Sequence, residues 1–190
     1  PIIALTADVT TVDLAKCKAV GMNDYLLLSK GEAKDTGRAR QIILANTFES
    51  VVGAIYLDQG YKVAEEFIAK ALQANAVPAG DARVVAQLMV KSDLVGADGH
   101  GIFRLPAYIK RIRAGGINLN PNIRIEREQG ATALINGDNA LGHLVMNKAV
   151  ELAIEKVKKH SVCWVGSHYG NHSGAASVYV RKLAEQGYIG

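Results

Sequence analysis

The sequence predicts an α/β protein. Short apolar runs at residues 1–7, 131–135 and 162–165, and the alternating Ile123-Arg124-Ile125, are separated by longer stretches with helical periodicity. In the last third, an apolar strand runs into a polar, glycine-bearing loop at a helix start, where α/β proteins place ligand-binding groups. With 49% hydrophobic and 21% charged residues among 190, the composition is globular and excludes a disordered or fibrous chain.

Taken in order, PIIALTA reads as a strand buried on both faces, followed by a helix over residues 12–20 that Thr10 or Thr11 caps and Gly21 ends. DYLLL, residues 24–28, reads as a second strand, which completes a small β-α-β unit over residues 1–29. Residues 31–40 are polar and loop-like. Ile42, Ala45, Phe48, Val52, Ile55 and Tyr56 then recur at helical spacing over residues 41–58. Gly60 interrupts, and residues 61–72 form the second arm of a helical hairpin assigned to residues 30–75.

The third part, residues 76–190, opens with an amphipathic helix through Val84, Val85, Leu88, Met89 and Leu94 that ends at Gly96. Pro106 opens a helix through Ile109 and Ile112, closed by Gly115-Gly116. Strands over 123–125 and 131–135 follow, and Asn136-Gly137-Asp138-Asn139 is expected to turn the chain. Residues 144–159 make a strong helix with basic residues at its C-terminal end, residues 162–165 a strand, and residues 175–186 a last helix. The three parts show no evident common core.

The formal charge of +4 is spread along the chain, so Lys110-Arg111-Ile112-Arg113 reads as a solvated helix face and not as a nucleic-acid patch. Cys17 and Cys163 sit in apolar contexts with no partner motif, as reduced thiols of a cytoplasmic protein. No apolar run of about 18 residues predicts a membrane span, and no signal peptide is recognised. Both ends read as cuts through larger domains.

Chemistry is concentrated in residues 92–118, where Asp98, His100, Arg104 and Tyr108 lie between glycines. Histidine suits proton transfer near neutral pH, and arginine is a two-pronged carboxylate clamp. Together they suit a 2-oxo or 2-hydroxy acid. His168 and His172 have an i, i+4 spacing, but Gly170 and Gly174 argue against one helix through both, so no metal site is expected. His143 and His160 mark a helix start and end, where capping or solvent roles are the default. No G-x-G-x-x-G follows a strand, so an ordinary Rossmann site is not indicated.

DLVGADGHGIFRLPAYIKRIRAGGIN, ALINGDNALGH and NHSGAASVYV resemble the malate/L-lactate dehydrogenase family, which includes ureidoglycolate dehydrogenases. The resemblance covers residues 76–190 and implies a homodimeric oxidoreductase of non-Rossmann α/β fold that uses NAD or NADP. It makes His100 and His172 the active-site histidines, with His100 expected to exchange the hydroxyl proton, and places Arg104 and Tyr108 on the substrate side. Asn171, Ser173 and Gly174 fit the family's loop and are assigned to the cofactor. Gly99 replaces the serine of the family's Asp-Ser-His-Gly signature. Most cofactor contacts should lie beyond this chain.

Two further resemblances are partial. LSKGEAKDTGR followed by ILANTFESVVGAIYLDQGY is similar to the last helices of a ribonuclease III catalytic domain. By that likeness Glu49 matches a Mg²⁺-binding glutamate, while Asn46 stands where many members carry aspartate. PIIALTAD and GMNDYL resemble the end of a response-regulator receiver domain, with Thr6 at the phosphate-sensing position but Gly31 after Lys30 instead of proline. The sequence therefore reads as a composite. Its expected activity is 2-hydroxy-acid dehydrogenation, against the alternatives of a non-catalytic chimera or scaffold and of double-stranded RNA cleavage.

Overall fold

The computed structural model describes residues 38–190, with side chains except those of residues 38–46, 48 and 49. The receiver-like β-α-β reading, Cys17 and the loop from Gly31 lie outside the described residues. So do the side chains of Asn46 and Glu49.

Two helices come first, α1 (Arg38–Gln59) and α2 (Tyr61–Gln73), joined through Gly60 as the sequence suggested. Helix α3 (Ala79–Leu94) follows, then two single 3₁₀ turns, Asp98–His100 and Ile102–Arg104. They lead directly into α4 (Leu105–Arg113), which has Pro106 in its first turn, where the missing N–H has no helical partner to lose. The remainder is β1 (Arg124–Gln129), β2 (Thr132–Ala140), α5 (Gly142–His160), β3 (Trp164–Gly170) and α6 (Ala176–Ala184). No described helix is long and apolar enough to cross a membrane.

The three strands form one sheet in the order β1-β2-β3, antiparallel between β1 and β2 and parallel between β2 and β3. A parallel neighbour requires a crossover, and α5 supplies it. Ala133, Ile135 and Ala140 from β2 pack with Val145, Ala149 and Leu152 on one face of α5. From another side of the same helix, Val150 meets Leu88 of α3 and Val178 and Tyr179 of α6. Helix α5 thus separates the sheet from the helices, and its exposed residues such as Glu151 and Lys158 are polar, as an amphipathic helix requires.

One expectation is overturned at the core. A single buried cluster joins Val52 of α1, Ile68 and Leu72 of α2, Val85 and Met89 of α3, Leu105 and Tyr108 of α4, and Leu141 before α5. The hairpin and the part that follows it share this core, because the apolar stripes of α2 and α3 face each other across the short link at Val77.

The Asn136–Asn139 turn is also corrected. The hairpin reverses at Gly130-Ala131, and β2 runs on through Asn136–Asn139 to Ala140 with an irregular register against β3. Asp138 and Asn139 have φ of 47° and 57°, a left-handed conformation that Asp and Asn tolerate better than most residues. Asp138 repays the distortion, since its Oδ2 accepts from Asn118 Nδ2 at 3.0 Å and from the Asn122 N–H at 2.9 Å. Similarly, β3 extends through Ser167–Gly170, so the polar loop begins only at Asn171.

Lys156, on the basic C-terminal half of α5, is buried. Its Nζ donates to Glu128 Oε1 and to the Gly130 carbonyl, both at 2.8 Å, which ties the helix to the β1–β2 hairpin.

Candidate active site

The site lies where the 3₁₀ turns, α4, the start of α5 and the loop after β3 meet. Arg104 and Tyr108 lie one turn apart at the start of α4, and the two 3₁₀ turns, broken at the non-helical Gly101, carry His100 to the same His172 ring. The turns are anchored by Asp93 of α3, whose carboxylate accepts the Ile102 N–H at 3.0 Å. A Cβ on Gly101 would fall 1.6 Å from that carboxylate, so a side chain there would displace the group that holds the turn. Sequence reasoning did not single out Asp93, although an acidic residue just before a helix-ending glycine loop was a usable signal.

The loop carrying His172 reaches the same place from the sheet. Asn171 Nδ2 donates to the carbonyls of Asn139 and Ala140, both at 2.9 Å, and its N–H donates to the Ala140 carbonyl at 3.1 Å. Asn171 therefore fastens the loop to the end of β2. Where α5 begins, Gly142 approaches the loop so closely that a Cβ would lie 2.0 Å from the Asn171 carbonyl. Tyr179 of α6 donates its hydroxyl hydrogen to the Ser173 carbonyl from the other side.

At the centre, Tyr108 Oη and His172 Nδ1 are 2.7 Å apart, across 64 residues of sequence. The Gly174 N–H donates to the same Nδ1 at 3.3 Å. The neutral His172 ring thus has Nδ1 as acceptor and carries its proton on Nε2. The His100 ring stacks on that of His172, with centroids 5.5 Å apart and planes 21° from parallel. Arg104 Nε donates to the Gly99 carbonyl at 2.8 Å, which orients the guanidinium, and no ion pair engages it among the described residues.

Partial burial, then the positive charges of Arg104 and His100, hold His172 below the ordinary histidine pKa. Burial raises the Tyr108 phenol, against the smaller opposing influence of Arg104, so Tyr108 remains a neutral hydroxyl. A hydroxyl can donate to Nδ1 or accept from a protonated Nδ1, and so serves both charge states of His172.

His143 departs from its expected capping or solvent role. It is fully buried, and neither ring nitrogen has a hydrogen-bond partner. Burial, followed by the influence of His172, pushes its pKa down to about 3. Its ring meets that of Tyr108 edge-on, at a 5.5 Å centroid distance and 80°. An apolar run around the histidine, ALGHLVM, was the sequence signal for burial.

His168 lies apart from this group. It points to β1, with Nε2 3.0 Å from Glu126 Oε2. No group of three His, Cys, Asp or Glu is placed to hold a metal ion among the described residues.

Gly174 closes the site with φ of +79°, and a Cβ there would come 2.8 Å from His143 Nε2. Gly174→Ala is expected to destabilise the chain by roughly 1–3 kcal/mol, through left-handed strain and overpacking. Thermal unfolding measures this, and an unchanged midpoint would contradict the close approach.

Residues 60–190 match the family model for malate/L-lactate dehydrogenase. The chain belongs to the malate/L-lactate dehydrogenase family. Within that family, it is 40% identical over 140 residues to a malate dehydrogenase of Pyrococcus horikoshii, covering 71% of this chain and 39% of the relative. An L-sulfolactate dehydrogenase of Methanocaldococcus jannaschii is 41% identical over 126 residues, or 66% of this chain and 37% of that one. A ureidoglycolate dehydrogenase (NAD(+)) of Escherichia coli is 32% identical over 133 residues, covering 68% and 38%. The solved structure of the P. horikoshii malate dehydrogenase superposes with a TM-score of 0.62, over 65% of this chain and 35% of that one. The chain thus spans about two fifths of the length of the curated relatives it matches.

The family match begins at residue 60 and includes α2. Residues 6–75 separately match a ribonuclease-III-like family model, which overlaps most of the stretch read as receiver-like.

Proposed function

We propose that residues 60–190 carry the proton-handling and carboxylate-binding half of a 2-hydroxy-acid dehydrogenase. The observation that carries this reading is the 2.7 Å contact between Tyr108 and His172, with His100 stacked alongside. His172 is the proton-exchanging group and His100 its partner. What supports this order is that His172 has its ring fixed by two hydrogen bonds and is held neutral by its surroundings. During oxidation of a hydroxy acid, the lone pair of neutral His172 is at Nδ1, so the proton passes through Tyr108, whose O–H proton moves to Nδ1 while its oxygen takes the substrate hydroxyl proton. During reduction of an oxo acid, protonated His172 returns it by the same path. Tyr108 follows by reversing its hydrogen bond, which keeps the imidazole in place in both directions.

Arg104 is the carboxylate clamp. With Nε held by Gly99, its terminal nitrogens form a fork suited to two-pronged binding. The Arg104 guanidinium, with no ion-pair partner among the described residues, makes the site attractive to an anionic acid.

The cofactor, NAD or NADP, would give or take the hydride. Ser173 and Gly174, in the loop beside the paired imidazoles, are the residues of this chain that would lie against it. Asn171 is a weaker candidate, because its amide is already committed to Asn139 and Ala140.

Although residues 6–75 match a ribonuclease-III-like model, the shared core favours a packing role for the first two helices, since Val52, Ile68 and Leu72 belong to one buried cluster with Leu105 and Tyr108. Oxamate, a non-reacting 2-oxo-acid mimic, tests the main reading by calorimetry. Arg104→Ala is expected to weaken it by about tenfold or more, equal to about 1.4 kcal/mol. Equal binding by both proteins would contradict the clamp.

A further inference from the structure

A histidine buried with both nitrogens unpaired requires an account, because an unsatisfied buried polar group costs roughly 1–3 kcal/mol. His143 stands in the first turn of α5, beneath the site. Its ring edge-packs on Tyr108, the residue that bonds His172 Nδ1. Its Nε2 lies against Gly174, whose N–H meets the same Nδ1. The His100 carbonyl oxygen is 3.4 Å from the point where a Gly174 Cβ would stand, so the support of the second imidazole converges there as well.

We propose that His143 is a positioning residue for His172: its buried ring is the floor that holds Tyr108 and Gly174, the two groups meeting His172 Nδ1. This rests on the assignment of His172 as the proton-exchanging group.

Shape and charge both suit the role. A five-membered ring presents a flat edge to Tyr108 and stops short of Gly174, where a six-membered ring would overpack. A branched aliphatic side chain would fill the volume without the flat edge. The ring also stays neutral, so it adds no positive charge beneath His172. The titratable and charged groups around His172 are Arg104 and His100 from the 3₁₀ turns, Tyr108 from α4 and His143 from α5. Tyr179 of α6 stands behind the loop with its hydroxyl on Ser173. Loosening the floor exposes His172 to water and lets Nδ1 exchange partners.

Long-range ¹H–¹⁵N spectra of the histidine-labelled chain read both tautomer and titration midpoint, independently of turnover. His172→Gln assigns the signal, and His168, held by Glu126, reports that the fold is intact. Tyr108→Phe, which removes the hydrogen bond directly, is the reference. In His143→Leu, the His172 midpoint should rise by about half a pH unit or more toward 6.5, with mixed tautomers, as in Tyr108→Phe. His143→Gln should shift it less, in the same direction. A folded His143→Leu chain with His172 unchanged would overturn the proposal and leave His143 as a core filler. Should His143→Leu lose the His168 signal, His143→Gln against the parent chain decides: a raised midpoint supports the floor, and an unmoved one overturns it. If the oxamate clamp fails while His172 shifts as stated, the function falls and the positioning role stands.

Discussion

Lowering the pH from 6.5 to 5 is expected to destabilise the folded chain by about 1.5 kcal/mol more than it destabilises His143→Leu. His143 has a folded pKa of about 3 against an ordinary value of 6.5. Between these values the unfolded chain binds a proton that the folded chain refuses. Stability linked to His143 is therefore complete above 6.5 and is lost as the pH falls toward 3, at a limiting slope of about 1.4 kcal/mol per pH unit. His172 acts in the same direction over a narrower window, and it is present in both proteins. Near pH 7 the leucine variant should be about as stable as the parent, since it removes two unpaired buried nitrogens while losing the edge contact with Tyr108. Urea unfolding at a series of pH values measures both. Parallel acid limbs would mean that His143 is protonated in the folded state and that its burial is wrong.

The second large effect concerns Leu72, which is fully buried in the cluster joining α1 and α2 to α3, α4 and Leu141. Leu72→Ala removes its contacts and leaves a cavity in that cluster, at a cost of roughly 2–5 kcal/mol. In a domain of this size each kcal/mol lowers Tm by about 2–4 °C, so a fall of about 4–20 °C is expected. The spread in such costs depends on how far neighbours relax, and the helices here are pinned by short links at Gly60 and Val77. Circular dichroism follows the helices, while the single tryptophan, Trp164, reports from β3 on the far side of α5. Both transitions should fall together if the hairpin and the dehydrogenase-like part unfold as one unit. A fall in the helical signal alone would show two separate units and restore the boundary near residue 75.

Much of the helical frame was legible because helices announce themselves locally. The expected ranges 41–58, 61–72 and 144–159 differ by a few residues from those found, 38–59, 61–73 and 142–160. The sheet was less legible. Asn136-Gly137-Asp138-Asn139 has turn chemistry, yet its left-handed residues distort a continuing strand because β3 pairs alongside and Asp138 is tied to Asn118 and Asn122. That outcome depends on partners far away in sequence.

The site divides the same way. Arg104 and Tyr108 are four apart at the start of a helix, and periodicity puts them together, whereas His100 depends on the break at Gly101 between the two turns. That His172 closes on Tyr108 follows from the crossover through α5 and the fastening of Asn171 to β2, neither of which leaves a local trace. His143 was read from its place at a helix start, whereas burial decides its chemistry. The shared core was missed for a related reason: an apolar stripe shows that a helix has a buried face, but not which neighbour covers it.

The central claim is that this chain brings His172, His100, Arg104 and Tyr108 into a site for a 2-oxo acid beside a nicotinamide cofactor. Thermal unfolding with and without oxamate plus NADH tests it most directly. Ligands that bind only the folded state stabilise it by roughly 2.7 kcal/mol at about one hundred times Kd. A single cooperative transition that moves upward with both ligands, and moves less in Arg104→Ala, is the predicted result. A cooperative transition at the same temperature with and without them would contradict the site.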